Sequence, residues 1–172
     1  MKRYRFWTAV LSICLVLRVS AQEPDSTTLT KIGQIPPDFS VATLDGRHFS
    51  ASGYKGKIVL LIFFATWCPA CQKEFPDLQK NLWEKFRDSG LIVLAIGREH
   101  TWDELEKFRK DNGYTFDFAP DPKRGIFNLY ATRNIPRNVL IGKDGTIAYQ
   151  SLGYEPGMFR VLVDKVSELS KS

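Results

Sequence analysis

Two kinds of apolar pattern alternate along this chain. Residues 58–65, "IVLLIFFA", and 91–97, "LIVLAIG", are unbroken apolar runs rich in β-formers. Runs of this length describe strands buried on both faces. Between and after them, apolar positions recur at helical spacing. Residues 72–89 bring Phe75, Leu78, Leu82, Trp83 and Phe86 onto one side and stop at Gly90. Thr101 opens a second helix, with Glu104 three residues on completing a capping box and Leu105 and Phe108 on its apolar side. Asn112-Gly113 ends it. Residues 116–119 read as a short strand, 120–122 as a turn and 125–131 as a short helix. Residues 138–141 and 146–152 form the arms of a hairpin turning at Lys143-Asp144-Gly145. Residues 156–169 are amphipathic, with Phe159, Leu162, Val163 and Val166 on one side. Upstream, residues 39–44 run into Asp45-Gly46, a two-residue hairpin signal, and His48-Phe49 begins the return strand. After that hairpin the order β-α-β-α-β-α-β-β-α predicts an α/β fold, a mixed central sheet with helices on both faces.

Charge changes the picture at one end only. The 172 residues carry 24 Lys+Arg and 19 Asp+Glu, a net charge of +5. Lys2, Arg3, Arg5 and Arg18 belong to the first 21 residues, which hold no acid; the remainder has 20 basic residues against 19 acidic. The domain therefore has no electrostatic footprint for nucleic acid. The basic start precedes an apolar stretch over residues 6–17, then Val19-Ser20-Ala21. That is the pattern of a secretory signal peptide over residues 1–21, cleaved before Gln22. A stretch of roughly twelve residues falls short of the ~20 that span a bilayer as a helix; a membrane anchor over 6–17 is the alternative. Ile13 before Cys14 is too bulky for a lipoprotein signal. Residues 22–31 read as a polar, flexible lead-in, and 32–172 as one domain without repeats.

Removal of the leader removes Cys14, leaving Cys68 and Cys71 in "TWCPACQKEFP". A disulfide closing so short a loop stabilises little as a staple. A closed zinc site needs four ligands, and His48 and His100 have no paired spacing; His100 reads as a solvated loop residue. The pair lies where a buried strand hands over to a helix, whose unpaired N–H groups lower a thiol's pKa. Pro69 suits the first helical turn. Cys68 is expected to face solvent beside Trp67, with Cys71 one turn further in. This arrangement suits reversible disulfide exchange, with Cys68 attacking and Cys71 resolving.

With its motifs in context, the chain resembles the thioredoxin superfamily, and within it the TlpA/ResA-like exported thiol–disulfide oxidoreductases, over about residues 32–169. "TWCPAC" matches the active-site motif, Pro76 the helix proline five residues past the second cysteine, and "NIPRNVLIGKDG" the cis-proline segment. The resemblance implies a thioredoxin-like fold, no cofactor beyond the Cys68–Cys71 disulfide, no metal, and a cis peptide at Pro136. Trp67, Pro69, Ile135 and Pro136 would form the substrate-binding surface, Ile135 offering its backbone to an extended client. Glu74, three residues past Cys71, would assist proton transfer; whether its helix face turns inward is left open. The implied partners are client protein thiols or disulfides and a membrane thiol–disulfide electron donor, in the periplasm, with cytochrome c maturation as precedent.

One position departs from the pattern. Six residues before the first cysteine, where thioredoxin carries a buried Asp, stands Ile62. A rival peroxidase reading needs proline at position 61 and Ser or Thr at 65; Leu61 and Ala65 stand there instead. A non-catalytic binding module is disfavoured by the intact Cys68, Cys71, Trp67 and Pro136.

Overall fold

The computed structural model describes residues 25–171. The strands are β1 (Ser40–Ala42), β2 (His48–Ser50), β3 (Ile58–Phe64), β4 (Leu91–Arg98), β5 (Asp117–Asp121), β6 (Arg137–Ile141) and β7 (Ile147–Leu152). β1 and β2 pair as a separate antiparallel hairpin. The other five form one sheet in the order β5-β4-β3-β6-β7. β3, β4 and β5 run parallel, whereas β6 and β7 are antiparallel to their neighbours. The α-helical segments are α1 (Pro69–Asp77), α2 (Glu84–Phe86), α3 (Trp102–Asn112), α4 (Phe127–Tyr130) and α5 (Pro156–Lys171).

The parity of β3 sorts the core into two layers. Ile58, Leu60, Ile62 and Phe64 face a layer with Phe75, Leu82, Leu105, Phe118, Phe159 and Leu162, drawn from α1, α3, α5 and their surroundings. Val59, Leu61 and Phe63 face the opposite layer, with Phe49, Phe127, Tyr130 and Val139. Every residue of β3 is buried, which is why its sequence shows no polar alternation.

The helix after β3 starts at Pro69, earlier than periodicity suggests, because Cys68 caps it. Pro76 lies inside it and offers no N–H to the carbonyl of residue 72. The helix then widens to a π-type turn over Leu78–Trp83 before α2 and a 3₁₀ turn at Arg87–Ser89, ending at Gly90 in the left-handed region (φ 85°). At α3 the capping box is present, the Glu104 carboxylate accepting the Thr101 N–H at 2.8 Å.

Two expectations are corrected. Pro120 belongs to a strand: β5 continues to Asp121, with Pro120 opposite Gly97. β5 is the sheet edge, where a missing N–H interrupts no ladder on the outer side. The described part of the lead-in is not loose. Thr27 and Thr30 are buried, Leu29 N–H donates to the Tyr130 carbonyl at 2.9 Å, and Thr28 bridges Ala131. The buried Arg137 guanidinium holds this polar segment through Asp25, Thr27 and Thr28.

Candidate active site

β3 ends at Phe64 and the chain turns before α1 begins. The Cys68 N–H closes that turn on the Ala65 carbonyl at 3.1 Å. Cys68 has extended backbone (φ −83°, ψ 114°) and caps α1, its Sγ accepting the N–H of Cys71 at 3.2 Å. A sulfur there meets the partial positive charge of the first helical turn, which favours a thiolate. Pro69 occupies the first turn, where its missing N–H leaves no bond unmade. Cys68 and Cys71 form a disulfide with Cα atoms 5.3 Å apart, inside the ordinary range.

The expected exposure of Cys68 is corrected. Cys68 is 5% exposed and Cys71 1%, whereas Trp67 is 59% exposed. The segment before β6 covers the sulfur: the Ile135 carbonyl oxygen lies 3.9 Å from Cys68 Sγ. The Ile135–Pro136 peptide is cis, as expected. Ile135 is half-buried and Pro136 buried. The Arg98 guanidinium lies between two rings, 5.7 Å from the Trp67 centroid and 5.1 Å from that of Phe127.

Arg137, immediately after the cis-proline, is 4% exposed. Its Nε donates to the carbonyls of Arg133 and Asn134 at 3.1 and 3.0 Å, bracing the turn from behind. Nη1 reaches Thr28 Oγ1 at 2.7 Å, and Nη2 pairs with Asp25 Oδ2 at 2.9 Å and with Thr27 Oγ1. Buried charge requires such saturation. One side chain thus ties the lead-in to the loop over the disulfide.

Glu74 lies one turn past Cys71 on α1, and its face turns inward. It is 1% exposed. Asn138 Nδ2 donates to Glu74 Oε1 at 2.6 Å and to Ser151 Oγ at 3.2 Å. Burial pushes the Glu74 carboxyl up to about 7; the Asn138 hydrogen bond opposes this and the charge of Asp77 adds to it. A carboxyl at that value can both take and give a proton near neutrality. Asn138 stands opposite Ile62 in the β3–β6 register. The polar group missing from β3 is therefore supplied at the same level by the neighbouring strand.

His100 is not the solvated loop residue expected. It is 4% exposed, and its Nε2 accepts the Thr66 N–H at 2.9 Å. The Thr66 carbonyl accepts Gln72 Nε2 at 2.6 Å. His48, the other histidine, is exposed on β2.

Residues 32–150 match the AhpC/TSA family. The thiol-disulfide oxidoreductase ResA of Bacillus thuringiensis (strain Al Hakam) is 32% identical over 123 residues, 72% of this chain and 70% of its own length. The chain belongs to the AhpC/TSA family, as a thiol–disulfide oxidoreductase of the ResA type. The solution structure of a proposed protein disulfide isomerase from Bacteroides thetaiotaomicron is similar, with a TM-score of 0.81 and 34% identity, covering 85% of this chain and 94% of that one. The pneumococcal exposed lipoprotein thioredoxin of Streptococcus pneumoniae strain TIGR4 matches with a TM-score of 0.65 and 25% identity, over 77% of this chain and all of that one.

Within this ResA-type framework, the structure gathers the residues singled out from sequence. Pro69, Cys71 and Glu74 lie on α1, Cys68 caps it and Trp67 precedes the cap, while the Ile135 carbonyl meets Cys68 Sγ and Pro136 follows it through the cis peptide. Sequence reasoning missed Arg137, Asn138 and His100. Arg137 and Asn138 had a signal: they open an otherwise apolar strand immediately after Pro136. His100 had none, because its partner is 34 residues away.

Proposed function

We propose that this protein reduces disulfides in client proteins outside the cytoplasm. The carrying observation is the capped position of Cys68, its Sγ between the Cys71 N–H and the Ile135 carbonyl. In the reduced enzyme, the Cys68 thiolate attacks a client disulfide. The client S–S bond breaks, a Cys68–client disulfide forms, and one client thiolate leaves. Cys71 then gives its proton to the ionised Glu74 and attacks the Cys68 sulfur. The second client thiolate leaves, taking up a proton from solvent. The client has gained two electrons and the enzyme holds the Cys68–Cys71 disulfide. A membrane dithiol donor returns the two electrons.

Two features support the reducing direction. Pro69-Ala70 between the cysteines supplies no histidine to stabilise a thiolate, and an ionised Glu74 opposes one on Cys71 by charge repulsion. The leader pattern, which lies outside the described residues, supports export, as does the likeness to an exposed lipoprotein. No helix among the described residues is long and apolar enough to cross a membrane. An apocytochrome whose cysteines must be reduced before haem attachment is the client class that the family precedent offers.

The test is the reduction potential of the Cys68–Cys71 pair together with insulin reduction and peroxide consumption. A value below about −230 mV with insulin turnover supports the reading. A value near −120 mV makes the protein an oxidant, and peroxide turnover in place of insulin turnover makes it a peroxidase. Amino-terminal sequencing from an exporting host should begin at Gln22; retention of Met1 would favour an anchor over 6–17.

A further inference from the structure

The turn leading into Cys68 is held on both sides at one residue, Thr66, by His100 on its N–H and Gln72 on its carbonyl. The His100 contact is built from several parts. Glu99, just before it, takes φ 65°, a left-handed conformation that side-chain-bearing residues seldom adopt. That turn carries the chain off β4 and aims the imidazole back into the protein. The Glu99 N–H is fixed on the Asp121 carbonyl at 2.9 Å. The ring packs 6.3 Å from the Phe64 centroid, and its Nδ1 lies 3.4 Å from Glu104 Oε2. Glu104 is itself held by the cap of α3. For Nε2 to accept, the neutral ring carries its proton on Nδ1, the side that faces the carboxylate.

We propose that His100 is a positioning residue of the redox site: by holding the Thr66 N–H it sets Cys68 Sγ against the first turn of α1 and beneath the Ile135 carbonyl. This rests on the reading that Cys68 is the attacking sulfur. Thr66 lies inside the turn that the Cys68 N–H closes on Ala65, so movement of its amide moves the cysteine backbone. The two distances that define the site, 3.2 Å to Cys71 N and 3.9 Å to Ile135 O, follow from that backbone. Misplacement by about 1 Å can lower a rate by about a hundredfold.

The anchor has a chemical requirement. An imidazolium has no lone pair on Nε2 and cannot accept the Thr66 N–H. The elements packed around the ring present the Glu104 carboxylate from α3, the uncharged Phe64 ring from β3, and from the turn the Thr66 amide, with Cys68 two residues on. Arg98 and Glu99 precede it and pair with each other at 3.1 Å. Whatever stands at position 100 must therefore present an acceptor to the Thr66 N–H to hold the turn.

The test compares native protein with His100→Gln and His100→Leu. Glutamine places a carbonyl oxygen the same number of bonds from Cα as Nε2, accepts the N–H, and does not titrate. The readouts are the pH profile of Cys68 alkylation in the reduced protein, corrected for thiolate fraction, and kcat and KM for insulin. His100→Leu is expected to lower kcat and alkylation by about tenfold with KM nearly unchanged. His100→Gln, which still accepts the Thr66 N–H, should retain most of the native kcat and alkylation rate, so that the conservative variant rescues what the leucine variant loses. Native kcat and a native alkylation profile in folded His100→Leu would overturn the proposal. So would a loss of about tenfold in kcat and alkylation in folded His100→Gln, which keeps the acceptor, and that outcome decides the matter alone if the leucine variant does not fold. Native protein that alkylates normally at Cys68 yet fails to reduce insulin would instead sink the disulfide-reductase reading, with the alkylation profiles still reporting on the anchor.

Discussion

Replacing Glu74 by Gln should change how stability depends on pH. In the folded protein this carboxyl sits at about 7 rather than the ordinary 4.5, chiefly through burial. Between those values the folded protein holds a proton that the unfolded chain has released. The stability linked to this group is therefore fully present below pH 4.5 and is lost as pH rises through about 7. At ~1.4 kcal/mol per pH unit, ionising the buried carboxyl costs the folded state about 3 kcal/mol by pH 8. Glutamine cannot ionise, and its carbonyl can still accept the bond from Asn138. Its amide group falls where Glu74 Oε2 has no partner, which adds a pH-independent cost of about 1–3 kcal/mol. The slope, not the offset, is thus diagnostic. Urea unfolding of both proteins, with the disulfide intact, should show the variant gaining about 3 kcal/mol relative to native between about pH 4.5 and 8. Parallel stability curves over that range would refute the claim that Glu74 is a buried, titrating carboxyl.

Three further substitutions test neighbouring parts. Asn138→Leu removes the bond that restrains the Glu74 carboxyl, so its titration, followed by carboxyl infrared absorption, should move above that of native protein. Arg137→Leu removes a buried cation bound to the lead-in and to the Arg133 and Asn134 carbonyls. It should lose about 3 kcal/mol in urea unfolding, since Asp25 stays partly solvated, and raise KM for insulin as the cis-proline turn loosens. Gly97→Ala would place a Cβ 2.5 Å from Leu105 Cδ2 and 2.8 Å from Cδ1. Overpacking between β4 and α3 should lower stability by about 1–3 kcal/mol in thermal unfolding, with the dithiol chemistry unchanged.

The parts of the fold that were legible are those governed by local pattern. Residues 58–65 and 91–97 announced central strands because burial on both faces removes every polar position. Cys68, Cys71 and Pro136 could be found because the strand-to-helix handover and the "IP" before a strand are local marks. What stayed hidden depends on register and docking. Ile62 reads as the loss of a proton-handling group, yet strand pairing sets it opposite Asn138. The burial of Glu74 depends on how α1 settles on the sheet, which helical spacing alone does not specify. Pro120 reads as a turn until β5 is known to be an edge strand. The lead-in is polar because its partner is a buried guanidinium, a composition that elsewhere marks a loose tail. The exposed neighbour of the disulfide is Trp67 rather than Cys68, because the Ile135 segment closes over the sulfur.

The central claim is that Cys68 attacks and Cys71 resolves. Its most direct test is Cys71→Ser, reduced, incubated with a disulfide-bearing client and analysed by peptide mass spectrometry under non-reducing conditions. The resolving thiol is gone, so the exchange should stop halfway. The expected result is a stable client disulfide on Cys68, absent in Cys68→Ser. Native-rate turnover by Cys71→Ser, or a trapped client in Cys68→Ser in place of Cys71→Ser, would contradict the assignment.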